Sequence, residues 1–182
     1  MLGRRLSIAT SDDFFRRFHW ERYEPPSRLA GGNVWNGFRP RAEAFRGFAT
    51  LNIETDAADR ILDIKLCLDR AFIEHPRNGV LARDLAASFL RWSLSEEEQI
   101  AIAGFLRELG DLGPNVISLG KPPAPPDAEP SPAHRVFLGR DKEHDIDLPD
   151  RRLRLVNLQA RDGPRDPRHD WIWLQLHKRE GG

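Results

Sequence analysis

In the stretch "RILDIKL", Asp63 and Lys65 stand two residues apart in a run that alternates apolar and polar side chains. In an extended strand that spacing turns both onto one face. A carboxylate so placed can hold a divalent cation where further donors join it. A second stretch, "HDWIWLQLHK", puts Trp171, Trp173, Gln175 and His177 on one strand face and Ile172, Leu174 and Leu176 on the other. Both faces are heavy, so either the strand is buried on both sides or the indoles meet a partner. Tryptophan and arginine are enriched at binding hot spots, and Arg152 and Arg154 of the preceding "RLRLVNL" flank the indoles. A third stretch, "GRDKEHDIDLPD", offers His144, Asp145 and Asp147, with His134, His169, Asp170 and His177 expected on neighbouring strands. Such donors suit zinc or another divalent ion only where three or more converge. No HxxxH or HExxH spacing is present, so the expectation is a solvated hairpin loop and no metal site.

Two family resemblances attach to these stretches. Asp63 and Lys65, preceded by Ile61 and Leu62, resemble the acid-x-lysine strand of PD-(D/E)xK nucleases. The resemblance implies a metal-dependent nuclease with Asp63 as a metal ligand and Lys65 beside the attacking water. That family also needs an acid on the partner strand. Here Asn52 is expected roughly opposite, with Glu54 and Asp56 close to the turn. Gly139, Arg140, Asp145, Ile146 and Leu148 resemble the opening of a forkhead-associated domain. The phosphate-binding Ser and structural His of that family are replaced by "RRLRL", and only 34 residues follow Leu148, too few for its sandwich.

The elements that must position these groups can be read from pattern. "TSDDFFRRFHWERY" has N-cap candidates and acids in its first turn, predicting an amphipathic helix over 12–23. Pro25, Pro26, Gly31, Gly32 and Pro40 then predict a long loop carrying Trp35 and Phe38, which packs down or covers a groove. "AFRGFATLNIET" and "RILDIKLCLDRAFIE" read as an antiparallel hairpin, with a helix as the competing reading of the second. Val80, Leu81, Leu85, Phe89 and Trp92 form one helical stripe after Asn78. Ser95 and Glu98 form a capping box for a second helix that Gly110 ends. Two short-linked helices also suit a DNA-reading helix-turn-helix, but "SEEEQ" puts acids where phosphates would approach. Six prolines in 120–134 predict an extended spacer. "RVFLG", "RLRLVNLQA" and "DWIWLQLHK" predict a three-stranded meander, too small to stand alone, that lies on the helices or extends the hairpin's sheet.

Composition bounds the rest. The 182 residues carry 28 basic and 28 acidic side chains, so the molecule as a whole has no charge-driven pull toward nucleic acid or anionic lipid. The balance is local: net +4 over 1–50, −6 over 51–134 and +2 over 135–182. Cys67 is the single cysteine, which excludes an internal disulfide and suits a reducing cytoplasm. No apolar run is long enough to span a membrane, and the start lacks the apolar core of a signal peptide. No Gly-rich phosphate loop or nucleophile elbow is present, and no cofactor is expected.

The resulting expectation is a bacterial-type, cytoplasmic α+β protein: a small antiparallel sheet packed with about three helices, and a proline-rich crossover before a C-terminal three-stranded meander. The expected divisions are a core over 1–112, a linker over 113–134 and the meander over 135–182. The expected work is non-enzymatic binding of another protein, as an accessory, adaptor or inhibitor, through Trp171, Trp173, Arg152, Arg154 and Trp35. A metal-dependent nuclease at Asp63 and Lys65 and a nucleic-acid-binding protein are the alternatives.

Overall fold

The computed structural model describes residues 1–110, 129–158 and 170–178. The hairpin around "RILDIKL" forms as its alternation requires. Strand β4 (Ala49–Thr55) and strand β5 (Ile61–Asp69) pair antiparallel, with Leu51 opposite Leu66 and Ile53 opposite Ile64. Asp56 closes the turn, its carboxylate accepting from the backbone N–H groups of Ala58 and Arg60. On the far side of β5 lies strand β8 (Trp171–Lys178), followed outward by β7 (Arg151–Leu158) and β6 (Glu143–Asp147). On the other side of β4 lies β3 (Val34–Pro40), bordered by the short β1 (Trp20–Arg22) and β2 (Ser27–Arg28). All pairings of this eight-stranded sheet are antiparallel. The C-terminal strands therefore extend the hairpin's own sheet, β8 pairing directly with β5.

Seven helices are described, against the three that the periodicity predicts: α1 (Leu6–Ala9), α2 (Asp13–Arg17), α3 (Arg70–Glu74), α4 (Gly79–Ser93), α5 (Glu96–Ala101), α6 (Ala103–Glu108) and α7 (Pro132–Phe137). Leu6, Phe14, Phe15, Phe72, Leu85, Phe89, Leu106, Val136 and Phe137 from these helices share one buried cluster with the inward side chains of β3, β4, β5, β7 and β8. The inward set is a single row-wise register, Phe38–Leu51–Leu66–Leu174–Leu155, so every described helix that joins the core lies on the same side of the sheet.

Several expected elements differ. The helix expected over 12–23 stops at Arg17, because His19 takes a left-handed backbone (φ 49°) and the chain turns into β1. The expected long loop contains β3, an interior strand. Gly37 and Pro40 mask its alternation, yet Asn36, Phe38 and Pro40 point inward. "RVFLG" is largely helical: Ser131 accepts from His134 N–H as N-cap and Pro132 sits at the first turn. The loop expected over 139–150 contains β6, so the third C-terminal strand lies later in the chain than expected. The second helix of the pair breaks at Ile102 into α5 and α6. Most of the proline-rich segment lies outside the described residues. Among the described residues no helix is long and apolar enough to cross a membrane.

Candidate functional site: the helix-free face of the sheet

Alternation leaves a second sheet face to which the described helices do not contribute, the helix-free face. Asp63, Lys65, Trp171, Trp173, Arg152, Arg154 and Trp35 lie on it with Asp145 and Asp147, whereas His144 lies on the helix side, His134 belongs to α7 and His169 lies outside the described residues. Cross-strand register builds it row by row. Trp35 faces Glu54, which faces Asp63, which faces His177, which faces Arg152 and then Asp147. The next row runs Gly37, Asn52, Lys65, Gln175, Arg154 and Asp145. A third runs Thr50, Cys67, Trp173, Val156 and Glu143. None of these side chains belongs to the core cluster.

At the centre, Asp63 accepts a hydrogen bond from Gln175 Nε2 at 2.7 Å. Burial of the carboxyl holds its pKa above the ordinary range, partly offset by that bond and by Lys65 and His177. The Lys65 ammonium lies 4.1 Å from the centroid of the Trp173 ring, a cation–π contact. Cys67 is buried, with Asn52 Nδ2 at 3.5 Å from its sulfur, and burial pushes the thiol up to about 11. A thiol so held stays protonated at neutral pH and packs within the sheet face. Asn52 Oδ1 and His177 Nδ1 are enclosed without hydrogen-bond partners.

Glu54 corrects one expectation. It lies directly opposite Asp63, so the hairpin does supply the partner acid that the nuclease resemblance needs. The cluster is nevertheless engaged elsewhere. Glu54 Oε1 accepts from Asn33 Nδ2 at 2.5 Å, Asp63 is held by Gln175, and Lys65 is directed onto an indole. Among the described residues no group of three or more His, Cys, Asp or Glu is arranged to hold a metal ion.

Trp35 sits at the other end of the face. Its ring and that of Tyr23 meet edge to face at 6.0 Å, and both lie over Gly37. Burial raises the Tyr23 hydroxyl to about 12, with Glu24 adding to the effect. Two strands, β4 and β5, separate Trp35 from β8, so the segment 31–40 does not lie over the C-terminal indoles. Trp171 and Trp173 are half-buried, whereas Ile172, Leu174 and Leu176 on the helix side have no exposure at all.

At the outer end, Arg152 and Arg154 are bound by the acids of β6. Arg154 contacts Glu143 at 2.5 Å and Asp145 at 3.6 Å; Arg152 contacts Asp147 at 3.0 Å and Asp145 at 3.5 Å. Three carboxylates thus meet two guanidiniums. Nothing in the sequence pattern placed these charges together, because β6 read as a loop. No family model, curated protein or solved structure matches this chain.

Proposed function

We propose that the protein binds another protein through the helix-free face, with Trp171 and Trp173 of β8 as anchors, Arg152 and Arg154 on the adjacent β7, and Trp35 farther across the same face. It acts without catalysis, as an accessory, adaptor or inhibitor. The observation that carries this reading is the one-sided burial of β8. Its aliphatic side is fully enclosed under the helices, while its indoles share a face to which no described helix contributes. Large aromatic side chains on a sheet face that also carries arginines are the composition of a protein-recognition hot spot.

The electrostatics favour a protein over a nucleic acid. The guanidiniums that would neutralise phosphates are already matched by Glu143, Asp145 and Asp147. The start of α5, where a recognition helix would meet DNA, is tied inward instead: Glu98 is buried against Arg151 at 2.8 Å.

The test is affinity capture from the native host, followed by binding of the purified partner to wild type and to the Trp171→Ala/Trp173→Ala double variant. Both substitutions fall on the face outside the core, so the variant is expected to fold, as circular dichroism will report. Loss of stoichiometric binding is expected. Undiminished binding by a folded double variant would remove the proposal. Magnesium- or manganese-dependent cleavage of DNA that Asp63→Ala abolishes would replace it with the nuclease reading. Retention on DNA or RNA that collapses with salt would replace it with nucleic-acid binding.

A further inference from the structure

The two ends of the sheet are built differently. At one end the border strands are only three and two residues long, and Pro25 and Pro26 interrupt the chain between them. Short strands and proline are the ordinary protection of an edge against pairing with another chain. At the other end β6 is a regular five-residue strand with no register shift against β7, and among the described residues β7 is its only strand neighbour.

The hydrogen-bond phase of that edge is fixed. Leu148 N–H donates to Arg151 at 2.9 Å and Asn157 N–H donates to Lys142 at 2.7 Å. Even-numbered residues of β6 therefore bond to β7. By the alternation of antiparallel pairing, the N–H and C=O groups of Glu143 and Asp145 point away from the sheet. Their side chains lie on the helix-free face, where they complete the charge ladder with Arg154 and Arg152. His144 and Ile146 alternate onto the helix side, where Ile146 packs against the core.

The geometry points to β6 as a site of strand addition for an extended segment of another protein that alternates basic with apolar residues. An incoming strand hydrogen-bonds to the outward groups of Glu143 and Asp145, and its residues opposite them stand on the same face, within reach of the carboxylates. Basic side chains there continue the ladder as guanidinium, carboxylate, ammonium across three strands. The intervening apolar side chains extend the core past Ile146. A second copy of this chain does not fit: antiparallel pairing of β6 with itself sets acids opposite acids in every outward-bonding pair, which is destabilising. The acids thus reject self-pairing while admitting a strand of opposite charge. This surface is separate from the indoles of β8, so the inference does not rest on the function proposed above.

The experiment uses the full chain and two synthetic ten-residue peptides, one alternating lysine with valine and one alternating glutamate with valine. Binding is followed by fluorescence anisotropy, and the backbone amides of Glu143 and Asp145 by hydrogen exchange. The lysine peptide is expected to bind and to slow exchange at both amides; the glutamate peptide is not. Asp145→Asn should weaken binding modestly, whereas Asp145→Pro, which removes an outward N–H and leaves the β7 pairing intact, should weaken it at least about tenfold. Should the proline variant not fold, Glu143→Lys/Asp145→Lys serves instead and should exchange the preference to the glutamate peptide. Equal binding of both peptides, absent protection at Glu143 and Asp145, or lysine-peptide binding unchanged by these variants would overturn the inference.

Discussion

Asp63 shows how one side chain reports its surroundings. Its folded-state pKa lies above the ordinary 3.8 chiefly because burial penalises the charged form. Between the two values the folded state holds more protons than the unfolded one. Stability therefore rises as pH falls through the folded-state pKa and levels off below the unfolded one. Asp63→Asn keeps an acceptor for Gln175 and removes the charge, so it is expected to be more stable than wild type at neutral pH, with the difference vanishing in acid. Urea denaturation across that pH range measures this, and a variant less stable at neutral pH would show that Lys65 and His177 outweigh burial. Gly37 makes a steric case. A Cβ there would stand 2.5 Å from the Trp35 ring and 2.8 Å from the Tyr23 ring. Gly37→Ala is expected to cost about 1–3 kcal/mol and to alter the near-ultraviolet dichroism of the displaced rings. The acid-x-lysine spacing and the indole spacing were legible in the residues themselves. That Glu54 stands opposite Asp63 was not, because that register depends on a bulge between Glu54 and Thr55, and Gln175 reaches Asp63 only because the distant β8 pairs with β5.

Among the elements, α5 ties the helical layer to the C-terminal strands. Ser95 accepts from Glu98 N–H and Glu98 accepts from Ser95 N–H, forming the capping box that the sequence announces. The same buried Glu98 carboxylate also meets the Arg151 guanidinium at the start of β7, a partner the sequence does not announce. Ser95→Ala should cost about 1 kcal/mol, the usual worth of a cap. Glu98→Ala should cost more, about 3 kcal/mol, because it also leaves a largely buried guanidinium without its carboxylate. Chemical denaturation of both variants separates the two effects, and equal costs would mean that Arg151 finds water instead. Elements with one dominant signal were readable: the period-two run of β5, the helix α4 and the box of α5, although α4 buries Leu85, Ala86, Phe89 and Leu90 and leaves Val80 of the expected stripe exposed. Elements with competing signals were not. Gly37 and Pro40 make β3 look like a loop, and charged residues at every second position of β6 look like a solvated turn. Only pairing with β4 and β7 makes them strands.

At the scale of the whole molecule, one core runs through the chain. Leu51 of the hairpin, Phe89 of α4, Phe137 of α7 and Leu174 of β8 belong to a single buried cluster, and β8 lies inside the sheet beside β5. Unfolding is therefore expected to be one cooperative transition, with tryptophan fluorescence and far-ultraviolet dichroism superimposing. Two separated transitions would mean that the C-terminal strands fold as their own unit. Phe89→Ala, at a site with no exposure, should lower stability by about 3–5 kcal/mol and carry both probes together.

Local pattern by itself determined the α+β class, the β4–β5 hairpin, the α4 helix, the α5 cap and the two-faced character of "WIWLQLHK", because each is written in spacing within a few residues. Tertiary structure alone decided that β8 inserts beside β5, that the described helices of the core take one side, and that β6, the last described strand on its side of the sheet, presents its acids to Arg152 and Arg154. Those facts depend on which distant strands pair. Strand pairing is set by the burial of the whole apolar set at once, which no short window of sequence contains.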